Sequence, residues 1–540
     1  MSSSARGRRT ATFFALVGAS ALALGACAPG SSSTPSTSAS AAALTDSGAE
    51  IDEVTVALPG SLSSLYPGTE AGILNYYIAS ISQEGLVAID ADGQLQPGLA
   101  TSWTQPDDVT YVFELRDDAV FQDGNPVTAQ DVVFSLQQAA DETASPGLSY
   151  YLGGVTSVEA TGPLEVTVTL AAPDAAFLTT MSTAGALFVT EQSFWEAAGG
   201  AVGTADTLTM GSGPYEVTSF EPDSSVTFER VDTWWGPLPK VKTITVEFIP
   251  DESTRLLAAT NGDIDVAFNV PLAQSAQWEA LDTVRVEYAN DLSYVGLNFD
   301  TRVAPFDDPK VREAIAYSVD KDAIVTSLLR GHGEAATAIM TPESLSKAYS
   351  PDEARAELAT IPQYEFDLDK AAAALAESDH PDGFEAEFAY PSTGPQLGTA
   401  AQAIAENLAT IGITLDVKEI PIEEWLATLG DGEHGIGYMW YFSTTGDPAE
   451  VPAYLLGTGN LSGYENADIA DLLAQAAAAQ DPVERVDLLV QAESIQAQDV
   501  VNVPLWWGQS ATAFATDLGF AKLSPFAFLS SWPTALFRGE

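Results

Sequence analysis

Residue types that commonly do chemistry in enzymes are few and dispersed in this sequence. The chain has one cysteine, Cys27, and three histidines, His332, His380 and His434. None of the histidines has metal-site spacing, and the patterns HExxH, GxSxG and GxxxxGK[ST] are absent from the sequence. Nucleophilic catalysis needs a base beside a serine or cysteine. These residues predict neither a catalytic nor a metal site, although 75 acidic residues leave a glycosidase-type pair of carboxylates open.

Cys27 is placed for covalent modification of its thiol. Three arginines within the first nine residues precede an apolar stretch over residues 13–24, and Leu24-Gly25-Ala26-Cys27 follows. This order is typical of an export signal, and the apolar stretch is shorter than the roughly 20 residues of a membrane span. The last four residues resemble the bacterial lipobox, so Cys27 is expected to receive a diacylglyceryl group. Arg8-Arg9 leaves twin-arginine export open as the route.

The segment after Cys27 and the overall charge limit what the protein can bind. Residues 28–43 are almost only Ser, Thr, Ala, Pro and Gly, which is typical of a flexible linker. The chain has 21 basic and 75 acidic residues, a net charge of −54. Binding to nucleic acid or to an anionic membrane surface needs clustered Lys and Arg, so we expect neither. Because the acids are spread along the chain, solubility or an acidic habit of the lineage explains them better than an acidic cleft for cations, which stays the alternative.

Beyond residue 51 the apolar pattern alternates between strands and helices. Residues 53–58 predict a strand. Thr128 is positioned as the N-cap of a helix that begins at Ala129. Further along, residues 399–411 predict a helix with Gly412 as its C-cap, and residues 413–417 predict a strand. This alternation predicts an α/β protein of two or three domains.

Short motifs recur in an order that is more specific than any one of them. They are EGLV at 84–87, PGLATSW at 97–103, FQDGNPVTAQDVVFSL at 121–136, GSGPY at 211–215, NGDID at 261–265, PFDD at 305–308 and Asp447-Pro448. As a set they resemble the family 5 extracellular solute-binding proteins, the substrate-capturing subunits of ABC importers for oligopeptides, dipeptides, nickel chelates and some sugars. The resemblance extends over residues 51–510.

The resemblance implies an α/β, two-lobed periplasmic-binding-protein fold of class II, the Venus-flytrap type, with an extra domain inserted in lobe I. Its parts would be a signal peptide (1–26), the lipidated cysteine and linker (27–50), lobe I (51–95, 204–296 and 508–540), the extra domain (96–203) and lobe II (297–507). Such a protein closes its lobes around a peptide or other small solute and delivers it to ABC permease subunits. We expect a monomer without enzymatic activity or cofactor, held outside the cytoplasmic membrane by the lipid on Cys27.

By the same resemblance, eight residues are expected to line the cleft between the lobes. Aromatic walls and backbone donors suit a ligand that is held through its main chain or its rings. The eight residues are Tyr66, Glu84, Gly213, Tyr215, Tyr294, Trp440, Thr444 and Asp447. For Trp440 the alternative is packing in the core.

The loop before Asp447-Pro448 departs from the family pattern at Thr444. Peptide-binding members hold the α-amine of the peptide with an aspartate at this position. Since a buried amine without a carboxylate partner is costly, the sequence predicts a ligand held by shape, aromatic contact and neutral hydrogen bonds, or anchored by Glu84 or Asp447 instead. Peptides are the expected class, with blocked peptides, oligosaccharides and metal chelates open, as are an extracytoplasmic hydrolase and a sensor.

Overall fold

The computed structural model describes residues 44–392 and 394–540, so Cys27, the signal segment and residues 28–43 lie outside the described residues. Within those ranges the strands are β1 (Ile51–Leu58), β2 (Val87–Ile89), β3 (Leu95–Pro97), β4 (Ala100–Asp107), β5 (Thr110–Leu115), β6 (Val155–Gly162), β7 (Glu165–Leu170), β8 (Tyr215–Glu221), β9 (Ser225–Arg230), β10 (Val241–Phe248), β11 (Val266–Ala267), β12 (Val284–Phe299), β13 (Glu334–Ala335), β14 (Phe384–Pro391), β15 (Ile413–Ile420), β16 (Ile436–Phe442), β17 (Asn502–Ala515), β18 (Leu518–Phe520) and β19 (Leu536–Arg538).

Helices alternate with these strands along most of the chain. The α-helices of the same ranges are α1 (Ile73–Ser82), α2 (Ala129–Ala140), α3 (Phe177–Thr180), α4 (Gln192–Ala197), α5 (Glu252–Asn261), α6 (Ser275–Glu279), α7 (Pro309–Tyr317), α8 (Lys321–Ala323), α9 (Pro351–Leu358), α10 (Leu368–Ala376), α11 (Pro395–Ala409), α12 (Ile422–Thr428), α13 (Glu450–Leu456), α14 (Ala467–Ala478) and α15 (Pro482–Asp499). No helix in the described part of the chain is both long and apolar enough to cross a membrane.

The largest sheet in the described ranges has nine strands and joins distant parts of the sequence. Its order is β16-β12-β17-β11-β1-β10-β9-β8, with β13 paired to β17. Strand β1 is parallel to both β10 and β11, whereas β12 is antiparallel to β16 and β17. Val54, Val56 and Leu58 of β1 are fully buried, as is typical of a parallel strand in the middle of a sheet. The strand predicted over residues 53–58 is confirmed.

Two long strands connect one buried core to another. Strand β12 has 16 residues and β17 has 14, and they pair on both sides of two register shifts, one between Asn290 and Tyr294 and one between Val295 and Gly296. On β12, Leu292 packs in the core built on β1, whereas Val295 packs in the core built on β14 and α11. On β17, Leu505 lies in the second core and Phe514 in the first. A two-stranded, hydrogen-bonded ribbon therefore joins the two cores.

A separate four-stranded sheet, β4-β5-β7-β6, packs against α2. Alternation in β7 buries Val166, Val168 and Leu170, each worth roughly 1.5–3 kcal/mol on burial. Helix α2 begins with a capping box, in which the Thr128 hydroxyl accepts from the amide of Asp131 and the Asp131 carboxylate accepts from the amide of Thr128. The predicted N-cap at Thr128 is confirmed.

The first and last residues of the described chain pair with each other. Asp46 and Gly539 form an antiparallel bridge, and Asp46 also pairs with Lys240. The amide of Glu540 donates to the carbonyl of Thr45 over 2.9 Å. Residues 44–47 and 538–540 therefore occupy one edge of the molecule.

Candidate ligand cleft

Glu84, one of the predicted site residues, is an internal carboxylate. It is 7% exposed and accepts hydrogen bonds from the Ser212 hydroxyl at 2.9 Å and from the Trp235 indole at 3.1 Å. The guanidinium of Arg116 lies 3.2 Å over the Trp235 ring. Burial raises the pKa of Glu84 to about 7, since a charged carboxylate is disfavoured away from water. The Glu84 carboxylate therefore already has two hydrogen-bond donors from its own chain, Ser212 and Trp235.

Three further predicted residues, Tyr66, Gly213 and Tyr215, make hydrogen bonds to other residues of the chain. Tyr66 shares a hydrogen bond of 2.7 Å with Ser145, and the Tyr215 hydroxyl donates to a backbone carbonyl over 2.8 Å. Gly213 donates its amide to the carbonyl of Ser82 at 3.0 Å, and a Cβ at this position would come within 2.7 Å of that carbonyl group. Glycine at 213 is thus required by a close backbone approach.

Tyr294 and Trp440 lie on adjacent strands. Tyr294 of β12 is fully buried, and its hydroxyl has no hydrogen-bond partner among the described residues. Trp440 of β16 pairs with Val295 of β12 and is half-buried, with its ring 5.7 Å from that of Phe442. Trp440 is therefore partly accessible, whereas Tyr294 is a core residue.

The loop after β16, residues 443–449, brings Thr444 and Asp447 into different surroundings. Thr444 shares a hydrogen bond of 3.1 Å with the hydroxyl of Tyr151, which belongs to the segment before β6. Asp447 forms a two-pronged ion pair with Arg485 of α15, with both N–O distances at 2.7 Å. Its carboxylate is thus already neutralised by a cation of the same chain.

A second acid at this loop, Glu450, is not among the predicted residues. It is the first residue of α13 and accepts hydrogen bonds from Ser443 at 2.6 Å, from Tyr441 at 3.1 Å and from the Thr445 hydroxyl. Burial raises the pKa of Glu450. These bonds hold the loop around the carboxylate.

A pocket lies where β12 and β17 pass between the two cores. Its cavity volume is about 20 Å³, which is room for about one water-sized group. It is lined by Ile73, Tyr77, Asn269, Ala289, Asp291, Leu292, Phe442, Ser443, Ser510, Thr512, Leu523, Ser524, Pro525 and Phe528. None of the eight predicted residues is in this lining, although Phe442 and Ser443 directly precede Thr444.

Asp291 is the one acidic residue among those lining the pocket, and no Lys, Arg or His of the described chain lines it. It is 8% exposed and accepts hydrogen bonds from the Ser293 amide at 2.9 Å, the Ser293 hydroxyl at 2.5 Å and the Ser510 hydroxyl at 2.8 Å. Burial raises its pKa. The prediction missed this residue, but a lone acid inside the strand pattern DLSYVGLNF is the signal that could have found it.

The three histidines make separate contacts. His332 stacks on Tyr288 and bonds Gln509 at 2.9 Å, His434 contacts Asp431 at 2.7 Å, and His380 packs edge-on against a phenylalanine. Within residues 44–392 and 394–540, no three side chains of His, Cys, Asp or Glu are grouped to hold a metal ion.

Comparison with known proteins gives a consistent set of similarities. The family model described as bacterial extracellular solute-binding proteins, family 5 Middle, matches residues 94–463. The glutathione-binding protein GsiB of Escherichia coli (strain K12) is 26% identical over 481 residues, which cover 86% of this chain and 91% of that protein.

Solved structures show the same fold. DppA of Helicobacter pylori, in complex with the peptide STSA, aligns with a TM-score of 0.78 and 24% identity over 91% of this chain and 99% of its own. AppA of Bacillus subtilis, with a nonapeptide, aligns with a TM-score of 0.76 and 20% identity over 91% and 100%. AgaA of A. tumefaciens R10, in complex with agropinic acid, aligns with a TM-score of 0.77 and 24% identity over 90% of this chain and 99% of its own. The predicted α/β, two-lobed fold is confirmed.

Proposed function

Because the chain belongs to family 5 of the bacterial extracellular solute-binding proteins, we propose that it captures a solute between two lobes and delivers it to the permease of an ABC importer. The family match over residues 94–463 carries this proposal, and the pocket at the ribbon between the two cores supports it. Ligand pockets commonly lie at such junctions.

The ligand class that the relatives favour is a peptide or peptide-like solute. Similar proteins are named for glutathione and dipeptides, and one similar structure holds a nonapeptide. The structure with agropinic acid favours a second candidate, a small non-peptide solute in the same fold. The proteins named in these comparisons are binding proteins, so we propose binding without turnover for this chain.

We propose that the parts of the chain follow the predicted boundaries, with lobe I at 51–95, 204–296 and 508–540, the extra domain at 96–203 and lobe II at 297–507. The lipid on Cys27 would hold a monomer at the outer face of the cytoplasmic membrane. The separate cores on either side of the ribbon support the division between the lobes.

Contacts between distant segments suggest that the lobes are closed in this structure. The bond between Tyr151 and Thr444 is one, and a backbone bond of 2.9 Å from Ala175 to Ala477 is another. Both would break on opening, so a bound ligand should favour the compact form. Small-angle scattering should show a smaller radius with a ligand that raises the melting temperature, and an unchanged radius would contradict hinge closure.

Native mass spectrometry of the purified protein tests the function directly. We expect a co-purifying solute at one equivalent, and calorimetry with that solute should give one site. Incubation with the solute should leave it chemically unchanged, whereas products would favour the hydrolase alternative. Loss of uptake of the solute in a deletion strain, restored by the intact gene, would complete the test.

A further inference from the structure

We propose that Asp291 binds the positively charged nitrogen group of an organic cation, an ammonium, in the pocket between the two cores. The inference rests on the proposed function and specifies which chemical group of the solute the pocket selects. It differs from the family's usual arrangement, because Asp291 lies on the ribbon strand β12 and not on the loop that carries Thr444.

The first argument is that Asp291 is a buried acid with neutral partners. Its three donors are the amide and hydroxyl of Ser293 and the hydroxyl of Ser510, and no basic side chain of the described chain lines the pocket. A buried charge without a counter-ion is costly, and a cation that enters the pocket removes that cost. Conversely, a ligand carboxylate would meet one acid and no base.

The second argument is the rest of the lining. The aromatic rings of Tyr77, Phe442 and Phe528 line the same pocket, and the Tyr77 and Phe528 rings are 5.3 Å apart. Aromatic faces attract ammonium groups, more strongly when the site is desolvated. The lining also has five neutral polar residues, so aromatic and neutral polar groups surround one acid, which suits an ammonium group; the rest of the solute would extend out of the pocket.

The third argument is that Glu84, Asp447 and Glu450 do not line this pocket and have partners elsewhere in the chain. Asp447 is neutralised by Arg485, and Glu84 is held by Ser212 and Trp235. Glu450 accepts hydroxyl donors from two residues of its own loop and from Tyr441 of β16, and it is not in the pocket lining. Asp291 also has hydrogen-bond partners, but it is the one acid of the described chain that lines this pocket, so it is the acid that a ligand there can reach.

The alternative role of Asp291 is structural, since it ties β12 to β17 through Ser510. Asp291→Asn separates the two roles. Asparagine has the same shape and can still accept from Ser293 and bond Ser510, but it carries no charge. A structural role predicts the same loss for every ligand, whereas charge recognition predicts a loss for cations alone.

The experiment uses three probes on the lipid-free chain from residue 28 onward, with calorimetry at pH 7.5. They are alanyl-leucyl-phenylalaninamide with a free α-amine, its N-acetyl derivative, and phenethylammonium, which distinguishes a small amine from a peptide terminus. We expect the free amine to bind about ten- to a hundredfold more tightly than the acetylated peptide, as for a hydrogen bond to a charged group. In Asp291→Asn this difference should vanish.

Glu493→Gln is the matched control. Glu493 is a fully buried carboxylate that accepts the amides of Ile339 and Met340 and does not line the pocket. It should keep the discrimination between the amine and the acetylated peptide.

Equal binding of amine and acetylated peptide, equal weakening of both by Asp291→Asn, or no binding of either cation would overturn the proposal. Tight binding of neutral solutes alone would do so while leaving the importer function intact. The absence of any bound or co-purifying solute would instead count against the proposed function.

Discussion

The ion pair between Asp447 and Arg485 allows a test of how the late loop is used. The sequence suggested Asp447 as a substitute anchor for a ligand amine, but the structure pairs it with Arg485 through two bonds of 2.7 Å. The side chains of Arg485 and Asp447 are 10% and 9% exposed. We therefore predict that Asp447→Asn reduces stability and leaves ligand binding largely unchanged.

The expected loss in the free energy of unfolding depends on the Arg485 guanidinium, which Asp447→Asn leaves without a counter-ion. The amide side chain introduced by Asp447→Asn could still accept from the Ala449 amide, a bond of 2.8 Å in the parent, but the guanidinium would lose its counter-ion. The Nε of Arg485 already has no partner within the described chain, so this cation would be poorly satisfied. Removing one partner of a buried pair costs about 3–5 kcal/mol, and we expect about 3 kcal/mol because both groups keep slight exposure.

Urea unfolding followed by tryptophan fluorescence and by far-UV circular dichroism measures this loss, and coincident transitions license the two-state treatment. The double variant Asp447→Asn/Arg485→Met should regain most of the lost free energy of unfolding, because replacing a buried ion pair with apolar groups is often neutral. Asp232→Asn is the control, since Asp232 pairs with Arg230 while 73% exposed and should change stability by less than about 1 kcal/mol. A loss below about 1 kcal/mol for Asp447→Asn, with weakened ligand binding, would refute the reasoning and restore Asp447 as an anchor.

Three further predictions concern the anchor, one helix and pH. Cys27→Ser should move the protein from the membrane fraction to the soluble one, and unchanged fractionation would contradict lipid attachment. Thr128→Ala removes the capping box of α2 and should lower the free energy of unfolding by about 1 kcal/mol, measured by urea unfolding; Thr128→Ser should restore most of it. Burial raises the pKa of Glu493 from 4.5 to about 7, so the folded chain holds a proton that the unfolded chain releases between these values. This contribution to stability is complete below pH 4.5 and is lost by about pH 7, roughly 3 kcal/mol, and Glu493→Gln should flatten that part of the stability profile; an unchanged slope would contradict it.

Local elements could be predicted because their signals lie within a few residues. The capping box at Thr128 and the strand at 53–58 are examples. The helix predicted over 399–411 begins earlier, at Pro395, because proline is favoured in the first turn of a helix. It ends at Ala409, two residues before the predicted end. Gly412 has a φ of 98°, so it turns the chain into β15 after the helix has ended.

The surroundings of the site residues could not be predicted, because the partners are far apart in sequence. Arg485 pairs with Asp447, and Trp235 bonds Glu84 across 151 positions. The family motifs identified the fold and the late loop, but they did not indicate which acids are neutralised within the chain. Asp291 could not be predicted because its partner Ser510 lies on a strand more than 200 residues further along the sequence.

The pairing of residues 44–47 with 538–540 determines how the molecule responds to pulling. Tension that enters the chain at residue 44 first loads the few backbone hydrogen bonds between residues 45–47 and 538–540 and the ion pair between Asp46 and Lys240. The next load falls on β1, whose seven paired positions with β10 would slide along the strand direction and must yield together. The contacts at residues 44–47 should therefore break at a lower force than the pairing of β1 with β10, so a moderate force applied at residue 44 would leave the fold intact.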